Sequence, residues 1–412
     1  MIEFECQKLE NGLTVISSYD PSTPMAIVDL LYKVGSRNEH QDKTGFAHLF
    51  EHLMFGGSKH APRFDRELEI AGGSNNAFTN NDLTNYYDII PAQNIETALW
   101  LESDRMANLD INERSLDVQR SVVSEEFKEN YLNQPYGMAW HYLRTLAYKK
   151  HPYQWPTIGR NLKHIEEATL EDVKNFYSRF YHPGNAILSI CGNIENERAF
   201  SLAGKWFGDI SGSKLPEQDI PAEPPQRDIR RKVVEDNVPL DALYMAFHMD
   251  GRNTTSYYIN NLLTDILSNG SSSRLYTRLV KKKQLFNSIS AWVDGALDPG
   301  LLIISGRLNR GISLEKGEDA IWHELSLLQN ETVEQRELDK VKNKVEFEIT
   351  SNLISLMHRG FALCYYEMLG DAALVNHEIE KYRSVKTSEL MREASKHLIP
   401  SNASILYYKQ KK

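Results

Sequence analysis

The chain has 412 residues, 41% of them hydrophobic and 25% charged, with a formal net charge of −9. That balance is ordinary for a globular protein with two or more packed units, and it offers no basic surface for a nucleic-acid backbone. No run approaches the roughly 20 apolar residues that a membrane-spanning helix needs. The acidic, strand-like start "MIEFECQKLENGLTVISSYD" lacks the basic and apolar segments of a secretory signal. Cys6, Cys191 and Cys364 lie far apart and are odd in number. Buried thiols in a reducing, cytoplasmic compartment are therefore expected, rather than disulfides or a cysteine metal site.

Strand-like alternation opens the chain in "LTVISSY" (13–19) and "AIVDLLYKV" (26–34). A helix then follows in "GFAHLFEHLMFGG" (45–57). On a wheel of about 100° per residue, Phe46, Leu49, Phe50 and Leu53 share one side, and His48, Glu51 and His52 cluster on the other. Histidines at i and i+4 are neighbours, so both imidazoles can reach one ion. Gly56 and Gly57 end the helix. The order His-x-x-Glu-His inverts the more familiar His-Glu-x-x-His zinc motif; five residues alone also fit a solvated helix face.

A zinc site that does chemistry needs a third protein ligand. In the helical stretch "LDVQRSVVSEEFKENY" (116–131), Glu126 projects toward the apolar side near Val122 and Val123, and Glu125 toward the polar side. A carboxylate on a buried face needs a cation or strong hydrogen bonds. Zinc would supply the cation, and so would an arginine or lysine. With Glu126 as the ligand, Glu51 is left free as the general base that takes a proton from the attacking water.

A further strand, "AILSICGNI" (186–194), precedes the proline- and charge-rich stretch 211–228, which reads as an extended linker. The expected organisation is an N-terminal domain over 1–210 and a C-terminal domain over 229–412. Strands follow in "LYMAFHM" (243–249) and "LLIISGRL" (301–308). The two sides are related: residues 96–127 align without a gap to 318–349, with ten of 32 positions identical, among them Trp100 with Trp322 and Asp117 with Asp339. Duplication is the economical explanation. Strands, helices, then strands again favour an α+β fold of two homologous halves, each an antiparallel sheet with helices packed on one face. In the second half Asn261, Thr264 and Asp265 stand where His48, Glu51 and His52 do, so one metal site per chain is expected.

The inverted motif, the downstream "QRSVVSEE", "GGSNNAFTNNDLTNYYDIIP", "HPYQWPTIGR", "FYHPGNAILSICGNI" and "NGSSSRLYTRLV" together resemble the insulinase family of zinc metallopeptidases over essentially the whole chain. The resemblance implies one Zn2+ held by His48, His52 and Glu126, with Glu51 as catalytic base. It also implies duplicated α+β halves and, for a short chain, pairing with a second chain to close a chamber around unfolded peptides, which are cleaved by endopeptidase or oligopeptidase action. An edge strand over Asn76, Ala77, Phe78 and Thr79 would pair with the substrate backbone; read without the resemblance, it is an ordinary strand followed by a turn of asparagines. Two positions depart from the family. Gln119 stands where a supporting glutamate is usual, seven residues before Glu126. In "LVKKKQLFN", Val280 and Asn287 replace an arginine and tyrosine that hold substrate. That departure points to a heterodimer with a family member carrying the pair; the oligomeric state itself stays open between homodimer and heterodimer. The alternative is a subunit that retains zinc and binds peptide without cleaving it.

Overall fold

The alternating strands assemble into two sheets in the computed structural model, which describes residues 1–213 and 219–411. The first sheet holds β1 (Glu5–Lys8), β2 (Thr14–Tyr19), β3 (Met25–Tyr32), β4 (Ser74–Thr79), β5 (Thr84–Pro91) and β6 (Ala186–Gly192), in the order β1-β2-β6-β3-β5-β4. The second holds β7 (Arg230–Asp236), β8 (Ala242–His248), β9 (Phe286–Asp294), β10 (Leu301–Leu308) and β11 (Ala403–Gln410), in the order β7-β11-β8-β10-β9. Leaving out β1, both run first, last, second, fourth, third. The duplication read from residues 96–127 and 318–349 is thus also a duplication of topology.

The sheets are mixed rather than purely antiparallel. In each, the last strand returns after a long helical crossover and inserts beside the first strand in parallel, β6 along β2 and β11 along β7. A crossover of that length makes a parallel return accessible. Residue alternation is the same in either direction and cannot reveal it.

The first five helices are α1 (Phe46–Leu53), α2 (Phe64–Ile70), α3 (Ile95–Asn108), α4 (Glu113–Phe127) and α5 (Ala139–Ala147). On the second sheet, Leu243, Met245 and Phe247 face one core with the helices Thr255–Ser268 and Leu314–Asn330. The alternate residues Ala242 and Ala246 face another with Ala139, Leu143 and Ala147 of α5. On the first sheet α3 packs against β3 and β5. Its other face, Ile16, Ile27, Leu31 and Ile187, meets Leu363 and Cys364 of the helix Leu356–Met368. Gly360 permits that approach, since a Cβ there would lie 3.1 Å from Ser189 Oγ and 3.2 Å from Ile27 Cγ2. Asp29 is buried on this same face, where its carboxylate accepts from Asn85 Nδ2 at 2.8 Å and burial pushes its pKa up to about 7.

The expected helical layer is therefore joined by a second layer on each sheet, and that layer comes from the other half of the sequence. One compact unit comprises residues 1–127, 155–220 and 350–377; the other comprises 128–154, 221–349 and 378–412. Within the stretch 211–228 expected to be a linker, residues 214–218 lie outside the described residues. Its later part is anchored: the Glu223 carboxylate accepts from the N–H groups of Lys149 at 2.9 Å and Lys150 at 2.8 Å.

Candidate metal centre

α1 is short and amphipathic. Its apolar side packs Phe50 against Phe176 and Tyr181, with ring centroids 5.2 and 5.0 Å apart. Phe46, Leu49 and Leu53 are buried with it. This leaves His48, Glu51 and His52 on the opposite side, as the wheel predicts. Just past the end of α1, Gly57 takes φ 100, a conformation that glycine adopts at little cost.

α4 packs against α1 and brings Glu126 to the two histidines. Its Oε2 lies 3.3 Å from His52 Nε2 and 3.6 Å from His48 Nε2. The three ligand atoms all fall within 4.8 Å of one another. Around zinc with bonds of about 2.0–2.1 Å, tetrahedral ligand atoms sit about 3.4 Å apart, close to the two distances from Glu126. Val123 is buried but Val122 is 43% exposed, so Glu126 looks into a half-open site rather than an apolar core.

The electrostatics agree with a ligand set. Burial pushes the His48 pKa down to about 4, opposed by the nearby Glu126 charge, which leaves a neutral imidazole with a lone pair to give. Hydrogen bonding to His52 holds Glu126 below its ordinary value, so it is ionised. Glu51 is raised by burial, with hydrogen bonding from Thr79 opposing the rise. Glu51 is therefore in touch with β4, a contact that the sequence does not advertise.

β4 is an edge strand of the first sheet, paired on one side with β5 from Ser74↔Ile89 to Thr79↔Thr84. Asn76, Ala77, Phe78 and Thr79 all lie on it, and Asn76 Oδ1 accepts from the Ala77 N–H at 2.8 Å. Gln119 sits two turns before Glu126 on α4, and among the described residues no hydrogen bond joins it to the ligands. In the second unit, Val280 packs against the core and Asn287 is exposed on β9. Neither is a cation or a phenol. Cys6 is exposed, Cys191 and Cys364 are buried, and all three are free thiols.

Asp250, Glu393 and His397 form another group of ligand types. There His397 Nε2 lies 2.8 Å from Glu393 Oε1, and the Lys396 ammonium donates to Asp250 Oδ2 at 2.6 Å. Lysine already supplies the cation, so this cluster is an ion-pair network.

Comparison with known proteins agrees with the geometry. The family profile "Insulinase (Peptidase family M16)" matches residues 14–160, and "Peptidase M16 inactive domain" matches 167–345, the part without the histidine motif. The chain is 31% identical over 413 residues to the zinc protease PqqE of Helicobacter pylori, covering 98% of this chain and 92% of that one. It is 26% identical to the mitochondrial-processing peptidase subunit beta of Saccharomyces cerevisiae, over 71% of this chain and 66% of the other. The crystal structure of a protease from Helicobacter pylori superposes with a TM-score of 0.92 at 30% identity, covering 99% of this chain and all of that chain. Among the described residues no helix is long and apolar enough to cross a membrane. With a two-sheet duplicated fold, an inverted histidine motif on its first helix and a close full-length relative, the chain belongs to the insulinase family, peptidase family M16.

Proposed function

We propose that the protein is a zinc-dependent endopeptidase or oligopeptidase acting on unfolded peptides, with His48, His52 and Glu126 as ligands and Glu51 as general base. The observation that carries this reading is the convergence of those three ligand atoms, with the Glu126 oxygen 3.3 and 3.6 Å from the two imidazole nitrogens and the Glu51 carboxylate one residue from a ligand. Zinc held by these three residues would supply the Lewis acidity that polarises a scissile carbonyl. Glu51 takes the proton of the attacking water and returns it to the departing amine, and its burial brings its pKa toward the range where both transfers are favourable. The free edge of β4 pairs with the peptide backbone, which gives affinity with loose side-chain preference. The unpaired thiols accord with a reducing, cytoplasmic setting.

A second reading rests on Val280 and Asn287. A chain with a half-buried valine and an exposed asparagine at those positions has no cation or phenol there to hold substrate, so a family member that carries both would complete it in a heterodimer. A zinc-retaining, non-cleaving subunit is the limit of that reading. One experiment separates the readings: cleavage of a mixed unfolded-peptide library by the purified chain, with Glu51→Gln alongside and zinc content recorded. The parent is expected to cleave. The variant is expected to keep its zinc and lose about 100-fold or more in rate. A Glu51→Gln variant as active as the parent overturns the mechanism, and zinc without cleavage in either protein favours the dependent subunit.

A further inference from the structure

We propose that Glu39 is the positioning residue of the metal helix: it caps α1 from outside and so sets where His48 stands. The proposal rests on the zinc-site reading above.

α1 begins without a cap of its own. The residue before it, Gly45, sits at φ 91 and has no side chain to offer, although the first turn of a helix leaves its N–H groups without intrahelical acceptors. Glu39 fills the gap from six residues upstream. Its Oε2 accepts from the Gly45 N–H at 2.9 Å and its Oε1 from the Ala47 N–H at 2.9 Å. The residue is 7% exposed, so the two bonds are shielded from water. Burial pushes the Glu39 pKa up to about 8 and its bonds to the Ala47 and Gly45 N–H groups oppose the rise, so the cap rests on these hydrogen bonds rather than on a charge.

The cap acts directly on the ligand. His48 follows Ala47, and its side chain is 14% exposed against 27% for His52. Metal-ligating histidines are ordinarily oriented by a hydrogen bond on the ring nitrogen away from the metal. His48 lacks that device, since its Nδ1 is buried with no hydrogen-bond partner among the described residues. Orientation of this ring therefore passes to its backbone, and the backbone of that turn is held by Glu39.

Glu39 is itself held by a rigid frame. Trp155 Nε1 donates to Ser36 O at 2.9 Å, Arg160 N donates to Thr44 Oγ1 at 2.8 Å, and Thr44 Oγ1 lies 2.9 Å from His164 Nδ1. Gly159, at φ 102, packs so closely that a Cβ there would lie 3.0 Å from Thr44 O. The stretch "HPYQWPTIGR" thus has a use: its second half clamps the segment 36–45 from which Glu39 reaches α1.

The test is zinc affinity of the full chain, read by competition with a chromogenic chelator, for the parent, Glu39→Ala and Glu39→Gln, with thermal midpoints recorded. Glu39→Ala, which loses both acceptors, is expected to bind zinc about tenfold or more weakly. Glu39→Gln, which keeps one carbonyl acceptor, should fall between it and the parent. A Glu39→Ala variant that melts earlier yet binds zinc like the parent overturns the proposal, because the cap then only stabilises. Should the alanine variant not fold, Glu39→Gln decides: weakened affinity supports the proposal and parental affinity overturns it. A parent that binds no zinc removes the metal reading and this proposal with it, whereas a zinc-binding parent with an indifferent Glu39→Ala removes this proposal alone.

Discussion

Asp29 shows how a single side chain can bias the whole N-terminal unit. Its carboxyl is buried under the helix Leu356–Met368, and its folded-state pKa of about 7 lies above the ordinary aspartate value. Between about pH 4 and 7 the folded chain holds a proton that the unfolded chain has released, so this group's contribution to stability falls as pH rises through that window and is flat above it. Asparagine keeps an acceptor for Asn85 Nδ2 and cannot ionise. Asp29→Asn is therefore expected to gain on the parent as pH is raised from 5 to 8, by an amount on the order of a few kcal/mol. Denaturant midpoints at the two values measure it, and an equal difference at both would contradict the assignment. The same residue-level logic applies to the proposed metal ligands: burial keeps His48 neutral and hydrogen bonding keeps Glu126 charged, which are the states a metal requires.

At the scale of elements, α1 depends on a glycine as much as on its histidines. Gly45 takes φ 91, and a Cβ there would lie 2.8 Å from Ile158 O and 2.7 Å from Ile165 Cδ1. Gly45→Ala should cost about 2 kcal/mol or more in stability, from the left-handed conformation and the backbone contact together; a thermal melt with an unchanged midpoint would refute this. α1 was readable from sequence because apolar periodicity separates its two faces, and the trio survived as a face of its own. Glu126 was singled out as a carboxylate on an apolar side, and the structure does set it beside the two histidines, though in a half-open place with Val122 43% exposed. The cap was hidden, since Glu39 lies six residues before Gly45 and an isolated acid in a loop carries no periodic signal. Likewise β2, β3, β6, β8 and β10 coincide with alternating runs, whereas the alternation pattern did not single out β7 or β11. The parallel direction of β6 and β11 was beyond reach, because residue alternation has no sense of direction.

For the whole molecule, the exchange of α5 and the helix Leu356–Met368 was also illegible, because an apolar helix face does not name the sheet it will cover. It has a direct consequence for dissection. A fragment of residues 1–220 retains α1, α4 and the metal ligands but lacks 350–377, which covers Ile16, Ile27, Leu31 and Ile187. That fragment is expected to aggregate, and co-expression with or fusion to 350–377 is expected to restore soluble, zinc-binding material. A soluble, monomeric fragment 1–220 would show that the cover is dispensable. The exchange also imposes a schedule on synthesis. The first sheet is complete when β6 emerges, yet its last layer follows after the roughly 185 further residues up to 377, a wait of about 10–40 s at ordinary elongation rates. During that interval a fully formed apolar sheet face stands open on the ribosome, so the nascent chain is a natural client for chaperones well before its own C-terminal sequence can close it.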